Sequence, residues 1–170
     1  MAEQKDLDFT YTTIDEIFRL SMGETGDYSG AKYDGDFSMT LEDAQKEKHK
    51  FIADSLNISK GSKVLDMACG WAPFMRYITH ERDAESIGLT LSQGQADACR
   101  KNGYKVMVKD CRYVKQEDFG IFDAITCIGG LEHFCSVEEW QAGKQEQVYR
   151  DFFKTLFDLL PIGGRFYMQT

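Results

Sequence analysis

The stretch VLDMACGWAPF, residues 64–74, is the most informative in this chain. Apolar residues lead into Asp66, small residues follow, and Gly70 is succeeded by a tryptophan. An apolar run that ends in an acid and a glycine is typical of a buried strand that passes into a helix. The glycine lets the backbone approach a ligand, and the helix N-terminus offers free N–H groups to an anion. Asp66 can accept hydrogen bonds from a cation.

A site that combines these features suits an amino acid moiety, which carries a carboxylate and an ammonium together. S-adenosylmethionine has such a moiety, joined to a sulfonium, a ribose and an adenine. A tight strand–helix turn with a surface acid explains an isolated D-x-x-x-G equally well, so this alternative stays open. An NAD-linked oxidoreductase is disfavoured because G-x-G-x-x-G is absent, and a Walker P-loop is absent too.

On either side of this stretch, strand-like and helix-like segments alternate along the chain. Strands are predicted over 63–68, 86–90, 105–110, 122–128 and 165–170, and helices over about 41–56, 71–80, 92–102 and 137–160. Capping boxes are predicted at Thr40 and Ser92. The alternation predicts an α/β fold with a parallel sheet and helices on both faces. Ligands of such sheets bind at the carboxyl ends of the strands, near the switch point in strand order.

The N-terminal part is predicted to be less regular. Residues 1–13 read as loose, residues 14–18 as a short helix, and residues 23–39, rich in Gly, Asp and Tyr, as a loop. The chain therefore divides into an N-terminal helix and loop over 1–40 and a main domain over 41–170.

Polar residues follow the other predicted strands. Thr90 and Gln95 come after the second strand, where a ribose would lie, although helix capping is an alternative role for them. Asp110 ends the third strand and is either a partner for an adenine amino group or a solvated turn acid. Glu132 and His133 follow the fourth strand, and their titratable groups at this edge favour a functional role over a structural one.

Composition excludes several classes of protein. The 170 residues carry a formal net charge of -8, which argues against nucleic acid and gives no attraction to anionic lipid. No apolar run has the roughly 18 residues that a transmembrane helix needs, and the polar N-terminus is not a signal peptide. The five cysteines lack C-x-x-C spacing, so no metal site is predicted and reduced thiols are expected. We expect a cytoplasmic protein, with a peripheral position at the membrane surface as the alternative.

Taken together, the motifs resemble those of the cyclopropane fatty acid synthase family, which includes the mycolic acid cyclopropane synthases. These are class I S-adenosylmethionine-dependent methyltransferases with a Rossmann-like sheet. The matching segments are YSGAKY at 28–33, TLEDAQ at 40–45, VLDMACGWA at 64–72, GLTLSQGQ at 88–95, IGGLEHF at 128–134 and LLPIGG at 159–164. Their order and spacing agree with the family over about residues 20–170. The tryptophan after the glycine and the GLTLS segment are the more specific of these motifs.

The resemblance implies a role for each matching residue. The N-terminal segment of residues 1–40 would cover the bound S-adenosylmethionine. Its methionine part would contact Tyr28 and Ser29 and the main loop residues Asp66, Ala68 and Gly70. Its ribose would contact Thr90 and Gln95, and its adenine would contact Asp110 and Cys111. Glu132 and His133 would lie by the reacting centre as catalytic residues. In the family, the glutamate helps to bind a bicarbonate that removes a proton from the methylated carbocation.

The sequence departs from the family pattern in three places. Gly30 replaces the cysteine whose backbone lies in the bicarbonate site, which weakens the case for bicarbonate and for ring formation. Ala68 and Ala72 replace two loop glycines, and alanine is expected only where φ is negative. The chain also stops within the fifth strand, whereas the family fold continues with two more strands. We therefore expect a fragment, or a chain whose sheet is completed by a second polypeptide.

The first functional hypothesis is methyl transfer from S-adenosylmethionine to a carbon of an unsaturated acyl lipid. The second is methylation of a small molecule on carbon, nitrogen or oxygen. The third is a noncatalytic subunit that binds the cofactor without transferring a methyl group.

Overall fold

The structure is a computed structural model that describes residues 26–170. The predicted loose segment 1–13 and the predicted short helix at 14–18 lie outside the described residues. The division of the chain at residue 40 stays a prediction.

The described residues form a parallel sheet. Its strands are β1 (Lys63–Asp66), β2 (Glu85–Thr90), β3 (Val106–Val108), β4 (Ala124–Ile128) and β5 (Arg165–Gln169). The spatial order is β3-β2-β1-β4-β5, and every neighbouring pair is parallel. The predicted α/β fold with a parallel sheet is therefore confirmed. The strand order reverses between β1 and β4, so the carboxyl ends of these two strands border a crevice.

Helices connect the strands. They are α1 (Leu41–Ser55), α2 (Pro73–Arg82), α3 (Gln93–Lys101), α4 (Gln116–Phe119), α5 (Val137–Gln141) and α6 (Gln145–Leu159), with 3-10 turns at Cys111–Tyr113 and Leu131–His133. At the start of α1 the Thr40 side chain accepts a hydrogen bond from the Asp43 N–H, so Thr40 is the N-cap. The Asp43 carboxylate accepts from the Thr40 hydroxyl and not from the Thr40 N–H, so the return bond of the predicted capping box is not formed.

The core lies on both faces of the sheet because neighbouring residues of a strand point to opposite sides. On one face, Leu65 of β1 and Ile125 of β4 pack in a cluster with Phe152 of α6. On the other face, Val64 packs in a cluster with Ile52 of α1 and Phe74 and Ile78 of α2. The two faces hold β1 and β4 rigidly between helices, which fixes the positions of the loops at their carboxyl ends.

The single long helix predicted over 137–160 is wrong. The chain forms two helices there, because α5 ends at Gln141 and Gly143 adopts a left-handed φ of 68°. The Gly143 N–H donates to the Trp140 carbonyl, and this closes the end of α5 before α6 begins. Trp140, which fits the apolar spacing of the predicted long helix, is 62% exposed.

Among residues 26–170, none of the helices combines the length and the apolar character needed to cross a membrane.

Candidate functional site

A cavity of about 800 Å³ lies at the carboxyl ends of the strands. Its walls come from stretches of chain within residues 26–30, 66–74, 90–95, 109–112, 128–134 and 169–170, with His49 added from α1. The structure brings every predicted site residue to this cavity: Tyr28, Ser29, Asp66, Ala68, Gly70, Thr90, Gln95, Asp110, Cys111, Glu132 and His133. Their individual roles stay predictions.

Asp66 is the buried acid of the site. Its side chain is 2% exposed, and its Oδ1 accepts a single long hydrogen bond of 3.4 Å from the Ala68 N–H. The register partner of Asp66 on β4 is Thr126, and its buried Oγ1 has no hydrogen-bond partner among the described residues. Burial raises the pKa of Asp66 to about 7, and the charge of Asp27 adds to this. A carboxylate so short of donors favours a cationic ligand.

The turn between β1 and α2 depends on two left-handed residues. Gly70 has φ 52° and Ala72 has φ 64°, so the expectation that alanine here needs a negative φ is wrong for Ala72. A left-handed alanine costs about 1 kcal/mol, which burial of its methyl group beside Cys69 and Met75 offsets. Helix α2 then begins at Pro73, and no side chain caps it. Its first-turn N–H groups can therefore meet an anion beside Asp66.

Thr90 and Gln95 form a buried pair after β2. The Thr90 hydroxyl donates to the Gln95 Oε1 over 2.6 Å and accepts from the Ser92 N–H. Ser92 caps α3 by accepting from the Gln95 N–H, but the predicted return bond, which the Ser92 N–H would donate to the Gln95 side chain, is not formed. The capping box prediction is therefore wrong in that half. Within the described residues the Gln95 Nε2 has no partner, so its donors are available to hydroxyl groups of a ligand.

Asp110 is held by Arg112, a residue that the sequence reasoning missed. The Arg112 Nη2 donates to the Asp110 Oδ2 over 2.7 Å, and its Nη1 donates to the Phe134 carbonyl over 2.8 Å. Arg112 thus ties the loop after β3 to the loop after β4. The D-C-R spacing at 110–112 was the signal that could have indicated this pair. Cys111 between them is buried, and burial raises the pKa of its thiol to about 12, which keeps it neutral.

Glu132 and His133 lie in the 3-10 turn after β4, and both are exposed at the cavity. Neither side chain hydrogen-bonds to another described residue. A Cβ on Gly130 would lie 2.7 Å from the Ala68 Cβ, so a glycine is needed where this loop touches the loop after β1. The turn therefore places Glu132 near the Asp66 side of the cavity, where its carboxyl group makes no hydrogen bond to another described residue.

The loop of residues 26–30 forms the remaining wall, and it explains the tryptophan of the opening stretch. The Tyr28 ring packs edge-on against Trp71 at 4.9 Å between centroids, and the backbone of Gly26 also lies against this indole. The Gly30 carbonyl accepts a hydrogen bond of 3.1 Å from the Gln169 Nε2. Trp71 is thus a support on which the loop lies. The sequence reasoning missed Gln169, which its place at the end of the last strand could have indicated.

Comparisons with known proteins agree with this geometry. The family model for mycolic acid cyclopropane synthetase matches residues 1–170. Cyclopropane mycolic acid synthase 2 of Mycobacterium bovis is 34% identical over 171 residues, which cover 94% of this chain and 53% of that protein. Hydroxymycolate synthase MmaA4 of the same species is 31% identical, covering 98% of this chain and 53% of its own length.

A solved structure is similar as well. The crystal structure of mycolic acid cyclopropane synthase CmaA1 complexed with SAH and CTAB superposes with a TM-score of 0.76 at 28% identity, covering 94% of this chain and 53% of that one. The chain spans about half the length of the curated relatives that it matches.

Proposed function

The chain belongs to the mycolic acid cyclopropane synthetase family, and from this premise we propose that it is an S-adenosylmethionine-dependent methyltransferase. The observation that carries the proposal is Asp66, a buried carboxylate with one long hydrogen bond in the wall of a large cavity. An amino acid ammonium would supply the missing donors. SAH is the S-adenosylhomocysteine left after methyl transfer, and the CmaA1 complex with SAH supports a ligand of this class.

The residues present fit this cofactor along its length. Asp66 and the uncapped start of α2 would receive the ammonium and the carboxylate of the methionine part. Gln95 would donate from its Nε2 to the ribose, and Asp110, oriented by Arg112, would lie near the adenine. When bound, the cofactor supplies an electrophilic methyl group on a sulfonium.

We further propose that the acceptor is a carbon of an unsaturated acyl lipid. The names of the relatives, synthases of cyclopropane and hydroxylated mycolic acids, support this class of acceptor. Apolar Phe74, Leu91 and Ile128 line the cavity beside the polar groups and could receive an acyl chain. The chain's own contribution would be to align the acceptor, exclude water and stabilise the developing positive charge. Such an acceptor would bring the chain to a membrane surface.

In this proposal Glu132 accepts the proton that the methylated carbocation loses, directly or through a bound anion, and His133 lies beside it. Replacing Glu132 with Gln is expected to lower turnover about 100-fold or more, the usual range for loss of general base catalysis. Affinity for SAH is expected to stay within about threefold, because exposed Glu132 makes no structural hydrogen bond. Labelled methyl transfer to vesicles of unsaturated phospholipid, paired with calorimetry of SAH, measures both quantities.

The matched control is Glu117→Gln, which removes an exposed acid of α4 that does not line the cavity. It should leave both turnover and affinity unchanged. If Glu132→Gln retained the turnover of the parent chain, Glu132 would have no part in the mechanism.

The second candidate is methylation of a small molecule on carbon, nitrogen or oxygen. It is favoured by the hydrogen bond from the Gln169 Nε2 to the Gly30 carbonyl, because Gly30 stands where the family resemblance implies a backbone contact to bicarbonate. Methyl transfer to compounds of a soluble extract, with none to vesicles, would decide for it. Binding of SAH without transfer to either acceptor would instead favour a noncatalytic subunit.

A further inference from the structure

A buried polar cluster joins α1 to the loop of residues 26–30. It consists of Asp27 and Ser29 in the loop and of Gln45, Lys48 and His49 in α1, and we call it the loop anchor. The sequence reasoning placed the loop and the helix but assigned no interaction between them. Apart from Ser29, which the family resemblance assigns to the methionine part of the cofactor, its members have no role in the proposals above, although Asp27, Ser29 and His49 lie in the cavity wall.

Asp27 lies at the centre of the loop anchor. One of its carboxylate oxygens, Oδ2, accepts from the Lys48 Nζ and from the His49 Nε2, each over 2.8 Å. The other, Oδ1, accepts from the hydroxyl and the N–H of Ser29. Although burial opposes ionisation, the hydrogen bond from His49 and the charge of Lys48 lower the pKa of Asp27 to about 2. The centre is therefore an ionised and fully paired carboxylate.

The loop anchor also occupies the polar groups of Ser29. Its hydroxyl donates to Asp27 and accepts from the Lys48 Nζ over 2.6 Å, and its carbonyl accepts from the Gln45 Nε2 over 2.8 Å. A hydroxyl engaged in this way has no hydrogen left for a ligand. Ser29 therefore belongs to the support of the wall, whereas its neighbour Tyr28 extends to Trp71.

The energetics of the buried Asp27–Lys48 pair favour a role in positioning the loop of residues 26–30 over a role in stabilising the fold. Lys48 is 3% exposed, and a buried ion pair contributes little net stability because both charges lose their hydration. Replacing both partners by neutral groups is often without cost to the fold, whereas the directed hydrogen bonds are lost.

We propose that the loop anchor is a positioning device, in which Asp27, Lys48 and His49 fix Tyr28 against Trp71 and so shape the cofactor cavity. This inference rests on the proposed function, since it assigns the cavity to S-adenosylmethionine. It makes Ser29 a positioning residue that acts through Asp27 and not by contact with the cofactor.

The two tryptophans of the chain, Trp71 and exposed Trp140, provide a direct readout. In a Trp140→Phe background, Trp71 is the sole indole and its emission reports the contact with Tyr28. The double substitution Asp27→Asn/Lys48→Met removes both buried charges together. It is expected to change the emission of Trp71 and to weaken SAH binding about tenfold or more, while the midpoint of urea unfolding stays close to that of the parent.

The matched control is Asp83→Asn/Lys60→Met, which removes an exposed ion pair outside the cavity and should change neither quantity. Ser29→Ala removes only the hydroxyl between Asp27 and Lys48, and it should shift emission and affinity in the same direction as the double variant. If the double variant fails to fold, Ser29→Ala decides the question.

Unchanged emission of Trp71 in the folded variants would overturn the proposal, and so would changed emission with unchanged SAH affinity. If the parent chain itself did not bind SAH, the proposed function would be overturned. The emission of Trp71, measured without ligand, would still decide whether the loop anchor positions the loop.

Discussion

Replacing Asp66 with Asn is expected to weaken the binding of SAH about 100-fold or more. The Asp66 carboxylate is buried in the cavity wall and has one long hydrogen bond, so a ligand ammonium would form its main ion pair. Loss of a charge-assisted hydrogen bond of this kind costs about 3 kcal/mol, which corresponds to roughly 100-fold in affinity. Isothermal titration calorimetry of the parent chain and the variant measures the difference.

The same substitution is expected to stabilise the chain in the absence of ligand at neutral pH. Because the pKa of Asp66 is raised from 3.8 to about 7, the folded state keeps a proton that the unfolded state releases between these values. The free energy of unfolding therefore falls as pH rises through this window, by on the order of 4 kcal/mol in total. Asn has no proton to lose, so Asp66→Asn should remove this part of the slope.

Urea unfolding at pH 5, 6 and 7 tests this expectation, with Asp97→Asn as the control for an exposed acid on α3. The control should leave both affinity and pH slope unchanged. If Asp66→Asn bound SAH as tightly as the parent, Asp66 would be a buried acid of the turn and the cofactor assignment would lose its main support.

Replacing Gly88 with Ala is expected to destabilise the chain by about 3 kcal/mol, near the upper end for overpacking a core. Gly88 is buried in β2 as the register partner of Asp66. A Cβ there would lie 2.5 Å from the Met75 Sδ and 2.8 Å from the Cys69 Sγ. Both neighbours are buried, so relief requires the loop after β1 to shift, and SAH binding should weaken as well. Urea unfolding at one pH measures the loss.

Gly30→Ala is the matched control for a glycine in the cavity wall. Its Cβ would lie 3.4 Å from the Gln169 Nε2, which is ordinary contact, and its φ is not left-handed. Its stability should stay close to that of the parent. If Gly88→Ala unfolded at the same urea concentration as the parent, the packing of β2 against Cys69 and Met75 would be wrong.

The main outline of fold and site followed from local patterns. Apolar segments that end at Asp66, Thr90 and Ile128 mark strand ends, and Asp110 follows the end of β3 at Val108. A parallel sheet brings such ends to one edge. The predicted site residues therefore share one cavity, although the segments that carry them lie far apart in the sequence, from Tyr28 to His133. The motifs that resemble the family contain these same residues at the ends of the predicted strands.

The remainder depends on contacts between distant segments. Lys48 reaches Asp27 across 21 residues and Arg112 reaches the Phe134 carbonyl across 22, and no local pattern predicts such partners. The left-handed Ala72 is tolerated because its methyl group is buried, which depends on the packing of α2. The break between α5 and α6 differs from these, since Gly143 marks it in the sequence itself, although the apolar spacing of residues 137–160 also fits one continuous helix.

Our main assignment is that this cavity binds the cofactor through ionised Asp66. Its sharpest test is calorimetric titration of the parent chain with SAH at pH 8 and at pH 6. We predict saturable one-to-one binding that is about tenfold weaker at pH 6, because a group with a pKa near 7 must first release its proton. Absence of saturable binding at pH 8, or equal affinity at the two pH values, would contradict this assignment.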